Sequence, residues 1–280
     1  MRVLLTGRNG QVGAELERSL GPLGEVIATD RAALDLADPE SIRRAVREAR
    51  PAVIVNAAAY TAVDRAESEP DAAMRINAAA PGVLAVEAKR LGALLVHYST
   101  DYVFDGAKGA PYTEEDRAHP VNAYGKSKLE GEQAIVASGC HHLILRTSWV
   151  YSARGNNFLR TILRRAREQP ELRVVNDQIG APTSAAAIAR ATAAVLKHER
   201  RQGIFHMSAA GKTSWHGFAE AIVAHAGLVT RVVGIRSEDY PTVARRPRNS
   251  LLDNAKLNRV FGIALEDWRG PLGAVMAEVR

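Results

Sequence analysis

Five short apolar runs with helical stretches between them restrict the fold more than any other feature of the first 150 residues. The runs are "RVLLT" (2–6), "EVIAT" (25–29), "AVIVNA" (52–57), "LLVHYS" (94–99) and "HLILRTSW" (142–149), all rich in Val, Ile and Leu. Between them, segments near 11–20, 39–49, 71–91 and 123–138 have helical composition and spacing. Nearly continuous apolar runs suit strands buried on both faces. The pattern therefore predicts an α/β chain whose βαβ units wind a parallel sheet with helices on both sides. The second half is less regular. Strands are expected at 172–177 and 203–208, a helix at 184–199, and another over 213–227 capped by Thr213 or Ser214 and stopped by Gly227.

Composition narrows the function classes. In 280 residues, 46% hydrophobic and 24% charged, no apolar run approaches a membrane span of roughly 20 residues. The apolar run at the N-terminus stops at Thr6-Gly7 without a cleavage site, so no signal peptide is expected. The single cysteine, Cys140, excludes an internal disulfide and suits a reducing, cytoplasmic setting. The formal charge is +6, but the basic residues are interleaved with acids apart from clusters such as "LRRAR" (163–167) and "ARRPR" (244–248). That favours a phosphate-bearing small ligand over nucleic acid as partner. The eight histidines have no metal-ligand spacing.

The first βα junction carries chemistry. "VLLTGRNGQVGAELE" places Gly7, Gly10 and Gly13 after a strand and at the start of a helix, with Asn9, Gln11 and Val12 between them. Glycines permit a tight turn and close backbone approach to a pyrophosphate, which the helix N-terminus then faces with unpaired N–H groups. Residues 1–150 are expected to form this dinucleotide-binding domain, with later segments joining it, and 151–280 mainly a smaller C-terminal substrate lobe. Asp30 ends the second strand, where a carboxylate would accept from an adenosine ribose and repel a 2′-phosphate. Arg31 beside it and Arg8 in the loop could receive that phosphate, so NADH and NADPH both remain open. Asp35 and Leu36 are candidates for the adenine.

Ligands of open α/β sheets lie at the carboxyl ends of the strands. Ala57, Ala58 and Ala59 follow the third strand, where small side chains admit a cofactor. Thr100, Asp101 and Tyr102 follow the fourth. Tyr124 and Lys128 in "NAYGKSKLEGE" stand one helical turn apart on one face. An ammonium beside a phenol, whose ordinary pKa is about 10, favours the phenolate and would tune it as a proton donor.

Taken together, these motifs resemble the extended short-chain dehydrogenase/reductases, which share the Rossmann-like doubly wound sheet. More closely, "VNAAAYTAVDRAESEP", "HYSTDYVFDG", "LRTSWVYSARGNNF", "VVNDQIGAPT" and "RRPRNSLLD" resemble the dTDP-4-dehydrorhamnose reductases, in order and over nearly the whole chain. The resemblance implies reduction of the 4-keto group of a dTDP-sugar by NADPH or NADH. Tyr124 would donate the proton, Lys128 would lower its pKa and hold the nicotinamide ribose, and Thr100 would bond the same oxygen. It also implies that Asp101, Tyr102 and Trp149 surround the sugar, and that Asn157, Gln178, Arg246 and Asn249 contact the nucleotide and pyrophosphate.

Two rival readings share the motifs. A sugar-nucleotide dehydratase of this superfamily follows the threonine with Asp-Glu, whereas Tyr102 follows Thr100-Asp101 in this chain, which favours simple reduction over dehydration or epimerisation. A non-catalytic subunit resembling the β subunit of methionine adenosyltransferase is the second. Some members of the family are dimers bridged by magnesium through three glutamates. Glu15 matches the first position and Glu278 is a candidate for the third, but Ala186 stands at the second. A monomer, or a homodimer formed without metal, is expected.

Overall fold

The computed structural model describes residues 1–198 and 202–279. Six parallel strands form the central sheet: β1 (Arg2–Thr6), β2 (Glu25–Thr29), β3 (Val53–Asn56), β4 (Leu94–Thr100), β5 (His142–Thr147) and β6 (Gly203–His206). Their spatial order is β6-β5-β4-β3-β1-β2. The longer helices are α1 (Gln11–Leu20), α2 (Pro39–Ala49), α3 (Ala80–Leu91), α4 (Ala123–Ser138), α5 (Phe158–Glu168), α6 (Ala185–Val195), α7 (Trp215–His225) and α8 (Gly270–Glu278).

Successive strand residues point to opposite faces, and both faces are apolar. Val3, Leu5, Val55 and Val96 meet α1 and α6 on one side. Leu4, Ile54, Leu95 and Ile144 meet α2, α3 and α4 on the other. This is the physical reason for the near-continuous apolar runs. A second core, built on Leu159, Leu163, Phe218, Trp268 and Leu272, unites α5, α7 and α8. In that lobe, strand Glu171–Val175 pairs in parallel with Arg231–Ile235.

The helix predicted at 184–199 runs from Ala185 to Val195. Residue 199, its expected end, lies outside the described residues. Ile188 and Val195 bury against the sheet, so this helix belongs to the sheet's core and not to the lobe. The helix expected over 71–91 is divided. A short helix, Pro70–Met74, passes through a wide π turn, Arg75–Ala79, into α3. Pro81 has no N–H to give the carbonyl of Asn77, four residues back, and its ring crowds that oxygen. Gly131 of α4 lies over the same carbonyl, where an added Cβ would be 2.1 Å from the oxygen.

Candidate active site

The glycine turn is built for close approach. Gly7 has φ +76°, and a Cβ on it would stand 2.8 Å from the Ala58 nitrogen. A Cβ on Gly13 would stand 2.0 Å from the Gly7 carbonyl oxygen. Gly10 caps α1 without any side-chain bond, which leaves the helix N-terminus facing outward. Asn9 lies on this turn and Val12 in the first turn of α1. Such a cradle fits a dinucleotide pyrophosphate, and half-buried Ala57, Ala58 and Ala59 flank it.

The adenosine end differs in detail from the sequence expectation. Asp30 does end β2, but its Oδ1 accepts from the amides of Ala32 and Ala33 at 3.0 and 3.1 Å. Arg31 is exposed and lies 3.5 Å from Asp35. Asp35 also accepts from the Ala37 amide, which makes it a turn residue. Leu36 is buried in the core under the sheet, not offered to an adenine. Arg8 spans the end of β2, bonded to Glu17 at 2.6 Å and to the Ala28 carbonyl at 3.4 Å.

At the carboxyl end of β4, Thr100 Oγ1 donates to Asp101 Oδ1 at 3.2 Å and accepts from the Tyr102 amide at 3.1 Å. Asp101 is buried, and among the described residues its Oδ2 has no hydrogen-bond partner. Burial pushes this carboxyl up to about 7, against the opposing pull of the Ser250 and Thr100 hydroxyls. The rings of Tyr102 and Tyr124 meet edge to face at 5.5 Å. Burial, and then the nearby Asp101 charge, raise the Tyr102 phenol.

Asn122 caps α4 through the Gly125 amide at 2.7 Å and so fixes the turn that carries Tyr124. The electrostatics of Tyr124 and Lys128 differ from the sequence expectation. Burial pushes the Tyr124 phenol up to about 12; the Thr100 hydroxyl pulls it down and the Asp101 charge pushes it up. Lys128 is buried and aims its ammonium at the Tyr98 carbonyl, 2.6 Å away, and at His97 Nε2, 3.1 Å away. Burial lowers Lys128 to about 8, with Glu132 acting in the opposite direction. Desolvation therefore outweighs the expected charge effect between Tyr124 and Lys128.

A cavity of about 980 Å³ opens beside Tyr102, walled by Asp64, Phe158, Val174, Trp215 and Arg246. A neighbouring cavity of about 930 Å³ is lined by Lys212, Arg245, Arg248 and Asn249, and shares Gln178 and Arg246 with the first. Arg246 donates to Asp64 at 2.7 Å. Gln178 donates to the Ser237 hydroxyl at 3.0 Å.

Three predicted substrate residues have structural partners of their own. Asn157 caps α5 and donates to Gln11 Oε1 at 2.8 Å, tying the lobe to the glycine turn. Asn249 donates to the carbonyls of Lys108 and Ala110. Trp149 lies flat on Trp215, with ring centroids 3.5 Å apart.

Trp215, Phe158 and Asp64 are cavity residues that the sequence reading missed. The Trp in "TSWHG" sits directly after a helix cap, and that position was its only signal. Among the described residues, no group of three or more His, Cys, Asp or Glu could hold a metal. Glu15 instead pairs with Arg18 at 2.5 Å.

Known proteins share this arrangement from end to end. A dTDP-4-dehydrorhamnose reductase of Burkholderia thailandensis is 52% identical over 100% of this chain and 99% of its own. A crystal structure of a dTDP-4-dehydrorhamnose reductase from Clostridium acetobutylicum superposes with a TM-score of 0.96 at 40% identity, covering 99% of each chain. One from Bacillus anthracis, in complex with NADP, gives a TM-score of 0.94 at 37% identity, again covering 99% of each chain. The profile of the RmlD substrate binding domain matches residues 1–280, and the chain belongs to that family.

Proposed function

We infer that the protein reduces the 4-keto group of dTDP-4-dehydro-L-rhamnose to give dTDP-L-rhamnose, using NADPH or NADH. The observation that carries this reading is the convergence of Thr100, Tyr124 and Lys128 at one end of β4, with Tyr102 where a dehydratase would carry a second acid. The cofactor, when bound along the glycine turn, supplies hydride to the substrate's C4. The protein's own groups do the rest.

The Thr100 hydroxyl and the Tyr124 phenol would both face the carbonyl oxygen. As negative charge develops there, Thr100 donates a hydrogen bond and Tyr124 transfers its proton. A phenol raised to about 12 is fully protonated at neutral pH, the state an acid must start from. Lys128 would hold the nicotinamide ribose. The apolar wall of Phe158, Ile162 and Val174 suits a nucleobase, and Arg246 at the junction of the two cavities suits a diphosphate. Asp64 keeps the Arg246 fork oriented until phosphate oxygens replace it.

No helix among the described residues is long and apolar enough to cross a membrane. A cytoplasmic enzyme acting on a free nucleotide sugar is the setting proposed. The test follows oxidation of NADPH and of NADH with dTDP-4-dehydro-L-rhamnose, and with the free 6-deoxy-4-ketohexose. The nucleotide sugar should be turned over at least about a hundredfold more efficiently, because remote binding energy positions the carbonyl. Absence of turnover with either cofactor would overturn the reading.

A further inference from the structure

Behind the reacting groups, a line of buried polar side chains runs through the sheet. Thr6, Asn56 and His97 are register neighbours on β1, β3 and β4, each about 1% exposed. Thr6 Oγ1 is 2.7 Å from Asn56 Oδ1, Asn56 Nδ2 is 3.0 Å from His97 Nδ1, and His97 Nε2 is 3.1 Å from Lys128 Nζ. At its other end, Thr6 Oγ1 accepts from the Ala58 amide at 3.4 Å and stands directly before Gly7. The line thus joins the cofactor turn to the lysine.

A neutral imidazole carries one proton, so its two nitrogens cannot both accept. Two arrangements satisfy the line. In one, Thr6 donates to the Asn56 oxygen, the Asn56 amide donates to Nδ1, and Nε2–H donates to an uncharged Lys128 amine. In the other, the Asn56 amide is turned over. It donates to Thr6 and accepts from Nδ1–H, and Nε2 accepts from the Lys128 ammonium. A doubly protonated ring is disfavoured, since burial and then the Lys128 charge hold His97 well below its ordinary range. Ring tautomer and lysine charge are therefore locked together.

We propose that His97 is the positioning residue of Lys128: its Nε2 receives the ammonium and, backed by Asn56, sustains the charged form of the lysine. The inference rests on the reading that Lys128 serves cofactor binding and reduction. No proton passes to substrate along this line; its role is orientation and charge. The ionisable groups nearest the pair are few. Glu132 on α4 is fixed by Arg146 of β5 through two bonds of 2.8 and 2.6 Å. Tyr124 lies one turn earlier on α4, and Asp101 follows β4. Asn77, reaching α4 from the π turn, donates to Ser127 and is neutral.

The test compares His97→Leu with His97→Gln in the full chain. Leucine removes the acceptor, so the alkaline limb of kcat/KM should move down by about one pH unit, and NADPH affinity near neutral pH should fall about tenfold. The glutamine amide oxygen can occupy the Nε2 position and should restore both to within about twofold of wild type. Nitrogen NMR of the His97 ring in the cofactor-free wild-type protein gives a readout independent of turnover and of variant folding. The ring should change tautomer between roughly pH 6 and 10 while remaining neutral. A leucine variant with an unmoved pH profile, or a ring that keeps one tautomer throughout, overturns the proposal. If the ring switches but wild type does not reduce the sugar, only the functional reading fails. If wild type reduces it and the ring does not switch, only this inference fails.

Discussion

A tyrosine that must protonate a carbonyl oxygen is better served by staying a phenol than by being drawn toward phenolate. Burial keeps Tyr124, for which that role is proposed, in this state. Tyr124→Phe should lower kcat by about 10² to 10⁴, the usual worth of a positioned acid, and leave the NADPH dissociation constant within about twofold. Steady-state kinetics and fluorescence titration check both halves. Asp101 carries a second consequence. Its folded pKa, about 7, lies above the ordinary 3.8, so the folded chain holds this proton more tightly than the unfolded one. Stability from this residue is therefore present at low pH and is lost as pH rises through about 7. Asp101→Asn should be more stable than wild type near pH 8 by an amount on the order of a few kcal/mol, and the gap should close near pH 4, as read by urea unfolding. The sequence nominated these positions because the proposed chemistry restricts the residue types it can use. Their charge states were not legible, since burial is set by the neighbours that folding brings in. Leu36 shows the same limit: a loop residue in the sequence, it proves to be core.

At the scale of elements, the strands of the sheet were legible because both faces are apolar. The second lobe was less so, since its short strands and tight junctions follow no long period. The junction after β5 is the clearest case. Trp149 has φ +48°, uncommon for a bulky side chain, and its ring fills the space above Gly180. A Cβ at Gly180 would stand 2.4 Å from the Trp149 ring. Gly180→Ala should therefore displace the Trp149–Trp215 stack at a cost of about 1–3 kcal/mol. It should also raise KM for the nucleotide sugar more than KM for the cofactor, because Trp215 lines the cavity next to Tyr102. Thermal unfolding and paired KM measurements check this. "GAPT" entered the sequence reading only as part of a motif, and nothing there announced which ring the glycine would accommodate.

For the molecule as a whole, the magnesium-bridged assembly of some relatives is not expected. Glu15 is occupied by Arg18, and Ala186 offers no oxygen ligand at the second position. Sedimentation velocity should give the same species with and without EDTA; a dimer that dissociates on chelation would contradict this. The sequence reading placed a boundary near residue 150 with later segments joining the first domain; the segments that join the sheet are α6, β6 and the helix Ala255–Phe261, and the lobe takes the stretches between and after them. The two cores are therefore laced together by a chain that returns from one to the other. A polypeptide ending near residue 150 would lack β6 along β5 and α6 over α1, leaving an open strand edge and a bare apolar face. A gene cut there should yield an insoluble half, and exchange of lobes between relatives by a single crossover should fail. In such a chain, variation in substrate range has to come from side chains and loops, because neither lobe can be inherited without the other.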